Sequence, residues 1–212
     1  MVLSYGDSLV RQSDLAILAS TQWLTDTIIS FYFEYCSTEL FPANEVCWVG
    51  PEVGQLVKLM PVAQLGPVLD PLELRTRRVL LLPVNSNTRP DQAGGSHWSL
   101  LVCLNPAAAR GTTFLHLDSA RGFNKGEARA LAGRLAGYLG VAAGEDCSEL
   151  EVPQQTNGYD CGLHCLAMAE SVARQVQAGQ DPGQDPALAA RVMGMRAELT
   201  LLLLDLAARQ NS

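Results

Sequence analysis

The chain has 212 residues, 48% of them hydrophobic and 17% charged, enough apolar mass for the core of one domain spanning 1–212. Fifteen Lys and Arg against 22 Asp and Glu leave a net charge of −7. That balance argues against nucleic acid, whose phosphates call for cationic partners, and suits a basic protein partner. The longest aliphatic runs, at 79–82 and 201–204, fall far short of the ~20 residues of a membrane helix. Residues 1–7 show neither the basic region nor the apolar core of a secretory leader, so an intracellular protein away from membranes is expected. The six cysteines are then expected as free thiols. None forms a C-x-x-C pair, so no metal site is expected.

In chain order, residues 1–25 are mixed, with a short helical candidate at 13–18. Residues 26–40 make a stronger helix, because Ile28, Ile29, Tyr32, Tyr35, Cys36 and Leu40 recur at helical spacing. Pro51 suits the first position of a helix through about Met60. Three prolines and a glycine break 61–71 into loop and short turns. Residues 78–84 read as a buried strand, 85–95 as a polar, glycine-bearing loop, and 97–104 and 112–118 as two further strands. Asn124 with Glu127 three residues on predicts a capping box for a helix to about Leu139. A short strand at 149–152, a turn at 158–160, a helix at 160–177, a linker at 181–186 and a last amphipathic helix to about Arg209 complete the chain. Helices, then strands, then helices predict an α+β fold with a central sheet flanked by helices. No G-x-G-x-x-G follows a strand and no Walker loop is present, so nucleotide binding lacks support.

A cysteine peptidase needs a thiolate, a base, a group that orients the base, and oxyanion donors. Cys161 follows a turn and opens a helix, where the positive end of the dipole favours a thiolate. Gly162 beside it leaves room for substrate backbone. Cys165, one turn on, reads as core, and buried structural cysteines are common. Of the three histidines, His164 lies inside the same helix and reads as structural, and the strand face of His116 is open. His97, at a strand start beside Gly94 and Gly95, has the strongest claim as base. Asp118 ends the next strand, where antiparallel pairing would bring it to His97; alone, it could equally cap a turn. Gln155 or Gln154, six or seven residues before Cys161, could supply an oxyanion donor, and strand alternation would let only one point inward. Trp98 and Trp23 are each more often core than clamp, but Trp98 adjoins His97 at the edge of the site.

The blocks Gly-Gly-Ser-His-Trp-Ser-Leu-Leu at 94–101, His-Leu-Asp-Ser at 116–119 and Gln-Gln-Thr-Asn-Gly-Tyr-Asp-Cys-Gly at 154–162 resemble the SUMO/sentrin-specific protease family. The order His, Asp, Gln, Cys and the segment Trp-Leu-Thr-Asp-Thr-Ile-Ile at 23–29 fit the same family. Papain-like order, Cys before His, does not fit, and the caspase signature is absent. Within the family, the chain's short length and its stretches at 2–5, 11–15 and 33–35 resemble the deneddylase branch.

The resemblance implies a papain-like cysteine peptidase fold of the ubiquitin-like-protease type, built on a mixed sheet. It implies Cys161 as nucleophile, His97 as base, Asp118 as its orienter and Gln155 as oxyanion donor. Trp98 and Trp23 would roof and floor a tunnel for a diglycine tail, Asp26 would meet an arginine near that tail, and loop 85–95 would close over it. The implied partner is a ubiquitin-like modifier, the neddylation modifier first, handled by a monomer without cofactor. Thr25 and Thr27 depart from the Asn and His expected around Asp26, and Arg89-Pro90 stiffens the loop. Both departures bear on modifier preference and leave the chemistry untouched. The rivals are a SUMO protease, an acyltransferase on a related scaffold, and a catalytically silent modifier-binding module.

Overall fold

The computed structural model describes residues 3–89, 94–107, 111–141 and 147–210. A hairpin of β1 (Leu3–Tyr5) and β2 (Ser8–Val10) leads into α1 (Gln12–Leu18) and α2 (Asp26–Tyr35), which runs on as a π-helical turn, Cys36–Leu40. Next come β3 (Val46–Trp48), α3 (Pro51–Leu59) with Pro51 in its first turn, and a short α4 (Gly66–Leu69) among 3-10 turns. Then follow β4 (Val79–Asn85), β5 (Trp98–Leu104), β6 (Thr113–Leu117), α5 (Lys125–Leu139), β7 (Ser148–Leu150), α6 (Cys161–Gln177) and α7 (Leu188–Gln210).

The larger sheet has the order β3-β4-β5-β6-β7. Its three central strands are antiparallel, while β3 and β7 run parallel to their neighbours. The sheet is therefore mixed, and the fold is the α+β fold expected. Strand alternation divides the core in two. Val79, Leu81, Leu100 and Val102 pack towards α2, α6 and α7, while Leu80, Leu82, Leu101 and Cys103 pack towards α3 and α5. Burial on both faces explains why the sequence of β4 is continuously apolar rather than alternating. The first thirteen residues of α6 are all buried, because that helix lies between the sheet and α7.

Three local expectations are corrected. The strands β1, β2 and β3 are three residues each, too short for an alternation signal to register. The strand expected at 149–152 stops at Leu150, so Gln154 and Gln155 lie on an extended strap outside any strand. The capping box at Asn124 does not form, and its side chain makes no cap bond. That side chain turns inward, where Nδ2 donates to Val84 O (3.0 Å), His97 O (3.4 Å) and Ser99 Oγ (3.1 Å). Within the loop expected at 85–95, residues 90–93, Pro90 among them, lie outside the described residues.

Candidate active site

Pairing of β5 with β6 sets Leu100 opposite Leu117, so the residues just before β5 and just after β6 emerge together at one end of the sheet. His97 and Asp118 meet there, with Nε2 2.6 Å from Oδ1 and both side chains 4% exposed. Asp118 is held from two further sides. Its Oδ1 accepts from the Ala120 N–H (2.9 Å) and its Oδ2 from the Asn124 N–H (3.1 Å). Burial alone would raise its pKa, but the bonds from His97, Ala120 and Asn124 outweigh burial and hold the carboxyl below its usual range. One carboxylate thus both caps the turn after β6 and holds the His97 imidazole.

Cys161 opens the 17-residue α6 and is fully buried. Burial would lower the pKa of His97, yet hydrogen bonds to Asp118 and Cys161, and their charges, raise it to about 9. Since Nε2 is engaged by Asp118, Nδ1 is the nitrogen left for the thiol. An imidazole poised to be cationic between a carboxylate and a thiol is suited to hold a thiolate–imidazolium pair. Gly162 has a different task from the one expected. A Cβ there would lie 2.8 Å from Leu24 Cβ, so the glycine admits Leu24 rather than substrate.

The strap before α6 is tied in place. Asn157 Oδ1 accepts from the backbone N–H of Tyr159 and Asp160 (3.0 Å each), and Asp160 is ion-paired with Arg196 at 2.6 Å. Gln155 donates its N–H to Ser119 O (2.9 Å), accepts from Ser119 Oγ at Oε1 (2.8 Å), and donates from Nε2 to Asn157 O (2.7 Å). A primary amide has two N–H donors, so one remains after that bond. Gln154 is spent on structure, with Nε2 on Asp118 O and Val152 O and Oε1 on the Arg121 N–H. Hydrogen bonding, not strand alternation, distinguishes the two glutamines.

The other two histidines are also buried, and among the described residues neither is hydrogen-bonded to a carboxylate. His116 bonds Ser99 Oγ at 2.9 Å, and burial pushes its pKa down. Burial likewise lowers His164. All six cysteines carry free thiols. Cys165 sits in the core with its thiol on Ser99 O, and burial pushes Cys47, Cys103 and Cys147 up to about 11, 12 and 11.

A cavity of about 650 Å³ reaches His97 from the outside. Trp23 and Trp98 line it together with Asp26, Gln55, Asn85 and Gly95. Trp98 is buried and donates Nε1–H to Leu24 O (3.1 Å), whereas Trp23 is 48% exposed and bonds Gly158 O (2.5 Å). Asp26 stands exposed at the start of α2. Gly95 has φ +98° and packs where a Cβ would collide with the Asn85 amide. Lys58, invisible to sequence reasoning as a site residue, is buried against this wall. Its Nζ donates to Asn85 O (2.5 Å) and Asn87 O (2.7 Å), and burial lowers its pKa to about 8. Asn124 is the other residue missed; its helix-cap signature in the sequence masked an inward-facing clamp.

The model of the Ulp1 protease family, C-terminal catalytic domain, matches residues 73–190, more than half of the chain. The chain belongs to the Ulp1 protease family. Sentrin-specific protease 8 of Rattus norvegicus is 38% identical over 181 residues, 83% of this chain and 81% of that protein. NEDD8-specific protease 1 of Arabidopsis thaliana is 35% identical over 188 residues, 87% of this chain and 80% of that protein. Among solved structures, the Ulp1 protease domain in complex with Smt3, the yeast ortholog of SUMO, has a TM-score of 0.70 at 20% identity, covering 97% of this chain and 87% of its own. The Xanthomonas campestris effector XopD bound to ubiquitin has a TM-score of 0.61 at 23% identity, covering 91% and 96%. At those identities the structures establish the Ulp1-like fold alone. As a Ulp1-family member the chain is a cysteine-type peptidase. Among the described residues no helix is long and apolar enough to cross a membrane, and no cluster of three or more His, Cys, Asp or Glu could hold a metal ion.

Proposed function

We propose that this Ulp1-family peptidase cleaves after the C-terminal diglycine of a ubiquitin-like modifier, with NEDD8 preferred, acting on precursors and on lysine conjugates such as those of cullins. The observation that carries this reading is the chain's 35% identity to a NEDD8-specific protease across 87% of its length. The complexes of its structural neighbours with Smt3 and ubiquitin support a partner of the ubiquitin-like class. Free thiols at all six cysteines support work inside the cell.

The modifier's tail enters the cavity that Trp23 and Trp98 line, and its glycines, having no side chains, pass along those indole walls. Asp26 at the rim meets an arginine near the tail. Cys161 passes its proton to His97. The thiolate attacks the carbonyl carbon of the last glycine, and the carbonyl electrons move onto oxygen. Gln155 and the Cys161 N–H donate to that oxyanion. Collapse expels the amine, which takes its proton from His97, and leaves a thioester. Neutral His97 then takes a proton from water as the oxygen attacks the thioester, and Cys161 departs as thiolate. Asp118 fixes the imidazole and stabilises its cationic form throughout.

The test is turnover of C-terminally extended NEDD8, SUMO and ubiquitin precursors side by side. NEDD8 is expected to be processed fastest. Faster SUMO processing would make the chain a SUMO protease with the same chemistry, equal rates on all three would overturn any modifier preference, and no turnover would favour a silent binding module.

A further inference from the structure

Phe123 is 58% exposed, and its ring centroid lies 4.8 Å from that of His97. It is no part of the wall of the tail cavity. The ring is held out by its neighbours rather than left loose. Gly122 turns the chain with φ +80°, the Phe123 N–H donates to Ala120 O (2.9 Å), and the next residue, Asn124, is fully buried with its N–H on Asp118. A single exposed aromatic is ordinary on a protein surface. One fixed against a catalytic imidazole, outside the groove that leads to it, is placed for chemistry of its own.

The constraint comes from the leaving group. For His97 to protonate the departing amine, that nitrogen must come within hydrogen-bond reach of the imidazole. Whatever carries the nitrogen therefore passes over the surface that adjoins His97 outside the tail groove, and Phe123 supplies that surface. A lysine Nε is followed by four methylenes, which gain from lying on an aromatic face. The α-amine of a linear extension is followed at once by a polar backbone, which gains less. Resting on the protease reading above, we propose that Phe123 forms a leaving-group subsite that carries the aliphatic stem of the conjugated lysine and favours isopeptide over linear peptide bonds.

The test uses the full chain and one modifier, joined to the same short peptide either through a lysine Nε or through the peptide's α-amine. The readout is the ratio of kcat/KM for the isopeptide to that for the linear fusion. Phe123→Ala is expected to lower this ratio about 5–10-fold, the scale of one aromatic contact. Phe123→Tyr is expected to restore it, and Phe123→Leu to fall between, which preserves the comparison should the alanine variant fold poorly. An unchanged ratio, or an equal loss on both substrates, would overturn the subsite, the second outcome leaving Phe123 as a shield for His97 alone. Failure of the unmutated protein to cut either substrate, or to react with a modifier carrying a C-terminal electrophile, would instead sink the protease reading.

Discussion

The two ends of the tail cavity are built on opposite plans. At the inner end His97 lines the cavity, with Asp118 and Cys161 buried against it, and the Asp118 carboxylate alone takes three hydrogen bonds. At the outer end, Asp26 and Trp23 stand exposed, and among the described residues the Asp26 carboxylate accepts only from the Thr27 N–H next to it. The inner end fixes geometry and charge whatever the substrate. The outer end offers adjustable contacts. On the proposed function, reaction type rests on buried, mutually supporting groups and modifier choice on a few exposed ones.

Loosening the inner end should cost most. Asp118→Asn removes the charge that keeps His97 cationic, and a loss of about 10²–10⁴ in kcat is expected. The pH profile sharpens the point. With His97 at about 9, activity in the unmutated protein should fall as pH rises through that value, and in Asp118→Asn the fall should begin at lower pH. Stability should follow the same signs. The raised His97 contributes fully below its ordinary 6.5 and loses that contribution as pH rises through about 9; the lowered Asp118 contributes above its ordinary 3.8 and loses it as pH falls further. Thermal melts across pH 2–10 would check both limbs, and a kcat within twofold of the parent in Asp118→Asn would reduce Asp118 to a turn cap.

A smaller effect is expected at Asn124, which touches no substrate. Asn124→Ala leaves Val84 O and Ser99 Oγ without its donor, costing about 1–3 kcal/mol of stability. It also loosens the backbone that holds Asp118, so kcat should fall about tenfold with KM little changed. Loss of stability with an unaltered kcat and pH profile would confine Asn124 to a structural role. The smallest effect belongs to the outer end. Asp26→Ala should raise KM for NEDD8 about 1.5–5-fold, the scale of an exposed charge pair, and leave kcat alone. A drop in kcat of similar size would blur the division between the two ends.

The same division governs what the sequence made legible. The long elements were readable because apolar spacing persists over ten or more residues, as along α2 and α6. The hairpin β1–β2 and strand β3 were not, because three residues carry no period. His97, Asp118 and Cys161 could be singled out by their places at element ends, and the structure brings all three together. Gln155 could not be separated from Gln154 by alternation, since neither is in a strand; only their bonding partners tell them apart. Lys58 and Asn124 were hidden because their importance lies in which backbone carbonyls they reach, and Asn124 carried a cap-like local pattern that its tertiary contacts override.

The most direct measurement is mass-spectrometric mapping of the adduct formed with NEDD8 bearing a C-terminal electrophile. Expected is a single adduct on Cys161, alone among the six free thiols, absent from Cys161→Ala and slowed strongly in His97→Ala. An adduct on any other cysteine, or undiminished labelling in Cys161→Ala, would contradict the placement of the reaction at the start of α6.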